Sequence, residues 1–313
     1  MAIRRDLTDL PADRGLMPDE APRFSTVLID AWVEANAKRS AEHTPSGKGF
    51  RHSDAGKCAR ALSYKAAHIP ASDPIDQPGI HNVTIGQWMH DGWQAALLER
   101  FPDAEIEVEC ATAGVDSIGF IDAVVAHEGR TIAIELKSMG GWGFKAALGK
   151  ARRGAVAEGP KTDHLTQAAL NGCAIGADEV VIVYLAKECL SPNVYRGAEW
   201  WQRFTAEWTF TREQYEPIAL AEAARVKGIL ALVADGFLAA RKVPDLPVGS
   251  EIVDPATGAW QQTIRDRDDP SSVFVADTGS YWGCDYCGFR TLCAQTEPGR
   301  IPVETVVKIG DAA

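Results

Sequence analysis

The sequence predicts an α/β fold of the α+β kind, a small mixed central β-sheet flanked by helices. Three observations carry this. Strand-like stretches at 105–112, 117–126 and 131–138 follow one another closely. A helical stretch precedes them, with Met89, Trp93, Leu97 and Phe101 four residues apart on one face. A second helical stretch follows, and then an apolar run, EVVIVYLA at 179–186, that suits a buried strand.

The remaining segments fall into place around these. Residues 1–23 are rich in Pro and charge and suit a loose arm. Val27, Leu28, Trp32 and Ala35 give residues 24–41 a helical period, and TPSGKG at 44–49 suits a linker. Ser53 is a candidate cap for a helix carrying Cys58, Leu62 and Tyr64. IPASDPIDQPG at 69–79 should break the chain before the helix at 85–101. After the three strands, a helix is expected over 163–174, with Thr162 as its cap and Gly176 as its stop. A long helix is expected over 212–236, and the Pro-, Asp- and Gly-rich stretch 243–280 should be mostly irregular. This groups the chain into an N-terminal arm and helix (1–50), a core (51–200), a helical and irregular extension (201–280) and a cysteine-bearing tail (281–313) that packs back on Cys58.

With 313 residues there is material for one large domain or a core with appendages. No apolar run is long enough for a membrane helix, and MAIRRDLTDLPADRG lacks the apolar centre of a signal peptide. A cytoplasmic protein is therefore expected, with its seven cysteines reduced and no membrane partner. The net charge of −11 argues against a general nucleic-acid coat protein. It does not exclude a phosphate-handling site, where local charge and metals decide.

The chemistry concentrates in a hairpin. The second and third strands are joined through His127-Glu128-Gly129-Arg130, and a turn at Glu128-Gly129 is the simplest closure. That register sets Ala126 against Thr131 and Val125 against Ile132, and brings Asp122 opposite Glu135. Their Cβ atoms would lie roughly 5 Å apart. Lys137 would share their face. Two carboxylates opposed in an apolar surround repel, and a divalent cation would remove the conflict. Hard oxygen ligands favour Mg²⁺ or Mn²⁺.

His90, on the helix before the sheet, is a candidate nitrogen ligand. His164, Gln167 and Asn171 fall on one face of the helix after it. Such a stripe suits either a water or a phosphate beside the metal, or plain solvent. Between the two motifs, Lys145, Lys150, Arg152, Arg153 and Lys161 make a basic stretch with Trp142 and Phe144 among glycines. Cations for phosphates and aromatics for bases suit single-stranded nucleic acid, and a solvated helix face with core aromatics is the other reading.

Cys284, Cys287 and Cys293 form C-x2-C-x5-C, a metal- or cluster-binding spacing. Cys58 is the candidate fourth thiol, and Cys110, Cys173 and Cys189 suit small buried side chains. Iron–sulphur and zinc both remain open on spacing, while Tyr281, Trp282, Tyr286 and Phe289 would give the apolar shell a cluster favours. Either would staple residue 58 to residue 293 around the core.

Taken together, Gly86-x3-His90, Gly119-x2-Asp122, Glu135-x-Lys137 and Gln167 resemble the motifs of the PD-(D/E)xK nuclease superfamily, in its RecB-like branch. With Cys58 and C-x2-C-x5-C, the chain is similar to the CRISPR-associated, RecB-like iron–sulphur exonucleases and their phage-encoded homologues, over roughly 50–190 and 281–295. The resemblance implies a restriction-endonuclease-like core, with His90, Asp122, Glu135 and the Leu136 carbonyl holding Mn²⁺ or Mg²⁺. It implies that Lys137 activates the attacking water, with Gln167 beside it, and that the four cysteines hold a [4Fe–4S] cluster. It implies a DNA exonuclease acting on single strands or free ends, with recombination or CRISPR-adaptation proteins as partners. The family shows Gln-x3-Tyr where this chain has Gln167-x3-Asn171, so Tyr184 or Trp142 is the candidate aromatic contact to DNA. Two other readings are a nuclease with a structural Zn(Cys)₄ site and a DNA-binding accessory protein without turnover.

Overall fold

The structure is a computed structural model and describes residues 49–73, 75–149, 159–190, 199–241, 250–254, 259–265, 273–277, 287–297 and 299–310, with a few positions between 31 and 38. The chain divides into two units, Met1–Pro45 and Ser46–Ala313. In the first, Ala31, Trp32, Glu34, Ala35 and Lys38 are helical, in keeping with the period of that segment.

The second unit opens with β1 (Phe50–Arg51), a 3-10 turn at His52–Asp54 and α1 (Ala59–Ala66). Cys58, not Ser53, stands at the N-cap of α1. The helix α2 (Gln77–Arg100) starts well before residue 85. Asp76 caps it by accepting the Gly79 N–H at 2.8 Å, and Pro78 fits the first turn, where a missing N–H costs nothing. The chain break predicted at 69–79 thus ends inside a helix.

Then come β2 (Glu105–Cys110), β3 (Ser117–His127) and β4 (Arg130–Met139), followed by α3 (Gly141–Ala147) and α4 (Thr162–Ile175). Thr162 is the first helical residue of α4 rather than its cap, and Gly176 ends the helix in the left-handed region at φ 63. β5 (Glu179–Ala186) and β6 (Thr205–Thr211) lead into α5 (Arg212–Ala234), which Thr211 and Gln214 start with a capping box.

The central sheet has six strands in the order β1-β3-β4-β5-β6, with β2 also paired to β3. It is mixed, as expected: β3–β4 and β5–β6 are antiparallel, and β4–β5 is parallel. The parallel step requires a crossover, which α3 and α4 supply. On one face Ile132, Ile134 and Leu136 meet Val181, Val183 and Trp93 of α2. On the other, Ala133, Val180, Ile182 and Tyr184 pack with Ala168, Ala169 and Leu170 of α4 and with Tyr215 and Val226 of α5. The sheet is therefore sandwiched between helices, and it continues past residue 200 in β6.

A second core gathers the ends of this unit. Strands β7 (Phe237–Leu238) and β11 (Ile301–Pro302) pair antiparallel, with α6 (Arg290–Ala294) before β11 and α7 (Val303–Gly310) after it. Tyr64 of α1 packs with Leu238, Phe289, Leu292, Ile301 and Val306. Arg60 is buried here. Its guanidinium donates to the Ala239 and Gly299 carbonyls, to Thr296 Oγ1 at 3.0 Å and to the Glu297 carbonyl at 3.2 Å. Asp73 adds a second tie, accepting the Thr291 N–H at 2.8 Å and its hydroxyl at 2.6 Å. Within the stretch 243–280, where irregular chain was expected, the described residues form β8 (Ser250–Asp254), β9 (Ala259–Arg265) and β10 (Val273–Asp277), an antiparallel three-stranded sheet, and the rest of the stretch lies outside the described residues.

Arg60→Met removes a donor fork from several buried acceptors, each costing about 1–3 kcal/mol when unpaired. Urea denaturation should show a loss of about 3 kcal/mol or more with an unchanged m-value. A loss below about 1 kcal/mol would mean the guanidinium does not hold the two ends together.

Candidate active site

The hairpin turn comes out as the sequence demands. His127 pairs with Arg130, and both turn residues have positive φ, Glu128 at 50 and Gly129 at 75. This is a type I′ turn, whose twist matches the strands. The register runs Ala126↔Thr131, Val125↔Ile132, Val124↔Ala133 and Ala123↔Ile134.

At the next position the ladder gives way. Asp122 Oδ2 accepts the Leu136 N–H at 2.6 Å, so a side chain takes the place of a strand partner. The other side of β3 is irregular at the same point. The β2 register passes from Ile106↔Ala123 to Val108↔Ile121, with Glu107 between them in the left-handed region at φ 54. Gln94 of α2 bridges this break, donating to Glu107 Oε1 at 2.7 Å and to the Asp122 carbonyl at 3.1 Å. Asp122 is thus fixed from three directions, with its second oxygen 3.6 Å from His90 Nδ1.

Glu135 is 2 % exposed. Lys137 Nζ donates to its Oε1, and Asn171 Nδ2 donates to its Oε2 at 3.0 Å. Lys137 also donates to Gln167 Oε1 at 3.2 Å. The polar stripe of α4 therefore turns inward rather than to solvent. His164 completes it, its Nδ1 2.6 Å from the Tyr184 hydroxyl. Tyr184 is fully buried, so it is not placed for the DNA contact the sequence offered it.

The charges account for the proton affinities. Burial, then Asp122, push Glu135 up to about 7, against the pull of Lys137 and Asn171. Burial works against the charge on Lys137, but Glu135 and Asp122 outweigh it and its pKa is raised. Burial likewise opposes His90, and Asp122 outweighs it there. Burial drops His164 to about 4, so it stays neutral. Lys137 therefore answers Glu135, and Asp122 favours the protonated form of His90. The repulsion expected between Asp122 and Glu135 is eased by the Lys137 ammonium.

Asn171 is held in turn. Its Nδ2 also donates to the Phe120 carbonyl at 3.1 Å, and its Oδ1 lies 2.7 Å from His52 Nδ1. Neither His52 nor Cys110, whose Sγ lies 3.5 Å from Asn171 Oδ1, was legible as a site residue. Gly119 acquires its reason here. A Cβ at Gly119 would sit 2.1 Å from His52 Nδ1 and 2.7 Å from Asn171 Oδ1. The Gly119-x2-Asp122 spacing thus couples a close approach to a carboxylate.

A groove of about 380 Å³ opens beside His90, lined by Asn82, Val83, Gly86, Gln87, Ser138 and Lys187. Trp142 and Lys145 sit on α3, just after the strand that carries Lys137; Trp142 is 73 % exposed. Phe144 is fully buried in the main core, which removes it as a stacking side chain. Lys161 is exposed at the start of α4, and Lys150, Arg152 and Arg153 lie outside the described residues.

Cys287 and Cys293 pack against the second core beside Tyr64 and Phe289, whose rings are 5.0 Å apart. Burial raises the Cys287 thiol, and the nearby Cys58 and Cys293 add to it. These three cysteines share one neighbourhood, while Cys284, Tyr281, Trp282 and Tyr286 lie outside the described residues. Cys110 is buried, Cys173 partly so, and Cys189 is exposed rather than buried. Among the described residues, no three His, Cys, Asp or Glu side chains are drawn together as a bound metal would draw them. No helix among them is long and apolar enough to cross a membrane.

No family model matches the chain, and no curated protein matches it. Among solved structures, SSO0001 is similar at 16 % identity over 67 % of this chain and 88 % of its own, with a TM-score of 0.44. The alkaline exonuclease LHK-Exo of Laribacter hongkongensis is similar at 11 % identity over 49 % of this chain and 72 % of its own, with a TM-score of 0.33. The same exonuclease in complex with dAMP gives 13 % identity over 56 % and 80 %, with a TM-score of 0.36. All three scores lie below 0.5, so the functional reading rests on the geometry of the site.

Gly119→Ala should disturb this geometry at its base. The added methyl has no room beside His52, and overpacking of this kind costs about 1–3 kcal/mol. Thermal denaturation should show the loss; an unchanged melting temperature would mean that His52 and Asn171 pack elsewhere.

Proposed function

We propose that the chain is a metal-dependent DNA nuclease that hydrolyses phosphodiester bonds, acting as an exonuclease on single strands or free ends. One observation carries the reading. Where the β3–β4 ladder opens, Asp122 lies beside His90 at the edge of a groove, and the next strand brings in Glu135 paired with Lys137. Two carboxylates and an imidazole make a donor set that suits Mn²⁺ or Mg²⁺, with the Leu136 carbonyl as a further oxygen. When bound, such an ion would lower the pKa of a water and offset phosphate charge.

The chain's own groups set up the rest. Leu136 N–H and Gln94 hold Asp122 so that Oδ1 stays turned toward His90. Lys137 lies within reach of both Glu135 and Gln167, where its ammonium would orient a water and steady the developing anion. Trp142, Lys145 and Lys161, with Lys150, Arg152 and Arg153, would guide the strand by charge and stacking.

The cysteines support a structural [4Fe–4S] cluster held by Cys58, Cys284, Cys287 and Cys293. Cys287 and Cys293 beside Tyr64, Phe289 and Leu292 give the sulphur donors and apolar lining such a cluster takes. It would strengthen a junction that Arg60 and Asp73 already tie.

Cleavage of end-labelled single-stranded DNA with Mn²⁺, with and without chelator, tests the activity. Asp122→Asn, Glu135→Gln and Lys137→Ala should each lower the rate by at least about 100-fold while remaining folded. Full activity in a pure Lys137→Ala preparation would sink the assignment, and a folded wild type without turnover would point to an accessory DNA-binding protein. Cation binding needs the Glu135 anion, and its pKa stands near 7. Mn²⁺ affinity should therefore weaken as pH falls from about 8 to about 6, because protons compete for the carboxylate.

Anaerobic purification should give a brown protein, and Cys287→Ala should lose both colour and thermal stability. A colourless wild type containing stoichiometric zinc would replace the cluster with a zinc staple.

A further inference from the structure

The Glu135 carboxylate is gripped on its inner side by a chain of buried groups that the proposed chemistry does not use. Asn171, 1 % exposed, gives one amide hydrogen to Glu135 Oε2 and the other to the Phe120 carbonyl. Both partners are acceptors, so the amide's nitrogen must face them. Its oxygen then faces His52, and His52 Nδ1 must carry a proton to donate across the 2.7 Å gap. The other ring nitrogen lies 2.9 Å from the Thr112 hydroxyl. Burial lowers the His52 pKa, in keeping with a neutral ring that accepts from Thr112 at Nε2. Cys110 Sγ supplies a second, weak donor to Asn171 Oδ1 at 3.5 Å. Every polar atom of the amide is thereby engaged.

The orientation matters because an amide has two unlike ends. With its NH₂ toward Glu135 it stabilises the anion; reversed, it would set an oxygen against the carboxylate. A proton on His52 Nδ1 favours the first arrangement, adding to the two acceptors that face the amide nitrogen, whereas a bare Nδ1 would repel the amide oxygen.

We propose that Asn171 and His52 form a positioning relay, in which the protonated Nδ1 of His52 locks the Asn171 amide and the amide fixes Glu135 for cation binding. The inference rests on the nuclease reading, since it assigns Glu135 as a ligand. It gives Asn171, which stands where the resembled family has tyrosine, an inward task instead of a contact with DNA. Groups that orient metal ligands typically change affinity by about 10–100-fold when removed.

The test compares wild type with Asn171→Asp, His52→Phe and His52→Asn. Mn²⁺ affinity is measured by calorimetry on the metal-free proteins, kcat and KM on single-stranded DNA, and folding by thermal melts. Asn171→Asp keeps the shape but sets a carboxylate against Glu135, and His52→Phe keeps the ring without its donor. Both should bind Mn²⁺ about 10–100-fold more weakly and lose kcat, with KM for DNA unchanged. His52→Asn, whose amide nitrogen can replace Nδ1, should recover to within a few-fold of wild type. A folded His52→Phe with wild-type affinity and kcat overturns the relay alone. Wild-type protein that binds no Mn²⁺ overturns the metal-site reading, and the relay's purpose with it. If His52→Phe does not fold, the imidazole ¹⁵N shifts of wild type decide: a neutral ring protonated at Nδ1 supports the relay, and a proton at Nε2 overturns it.

Discussion

Glu135 places a carboxylate inside a sheet with almost no access to water, and the structure around it is arranged to make that charge tolerable. A buried charge is stable only when paired and hydrogen-bonded. Lys137 meets one oxygen and Asn171 the other. Each then imposes a demand of its own. Lys137 needs Gln167 at its side, Asn171 needs a donor for its oxygen, and that donor, His52, needs the space that Gly119 leaves. Residues from β1's following turn, β3, β4 and α4 are committed through this one side chain.

The second constraint is the way β3 is held. A type I′ turn sets the register of the hairpin, and beyond five paired positions from it both ladders beside β3 lose their regular pairing at Asp122. The rigid part of the sheet thus delivers the residue, and the break frees its carboxylate to face His90. Side chains from α2 and α4 approach from separate elements, so the site is assembled only when sheet and helices have packed. Proton affinities follow from this assembly: Glu135 is raised by its burial first and by Asp122 second, not by any feature of its local sequence.

The cysteine region obeys a different logic. Its core is small, and its strands β7 and β11 are two residues each. Short elements of this kind hold little apolar area, and here polar ties do much of the joining. Arg60 reaches four separate acceptors near residues 239 and 296–299, and Asp73 ties the loop before α2 to α6. A thiol-bound group at Cys58, Cys287 and Cys293 would add a covalent clasp to a junction built in this way.

Local periodicity determined much of this fold by itself. The 117–126 and 131–138 strands, their turn and register, the 179–186 strand and the Gly176 stop all follow from side-chain alternation and backbone sterics within a few residues. That Asp122, Glu135 and Lys137 come near one another was legible for the same reason, because a two-residue turn leaves one register; that the ladder would open at Asp122, whose side chain takes the Leu136 N–H, was not. Elsewhere local signals misled. Asp76 and Pro78 look like a break but begin α2, and the Pro, Asp and Gly content of 243–280 concealed the strands β8 to β10. What only the tertiary structure decided is which polar residues meet across long stretches of chain. His52 reaches Asn171 over 119 positions, and Arg60 reaches Thr296 over 236. No local pattern encodes such pairs, since their stabilisation exists only once the sheet and helices have excluded water around them.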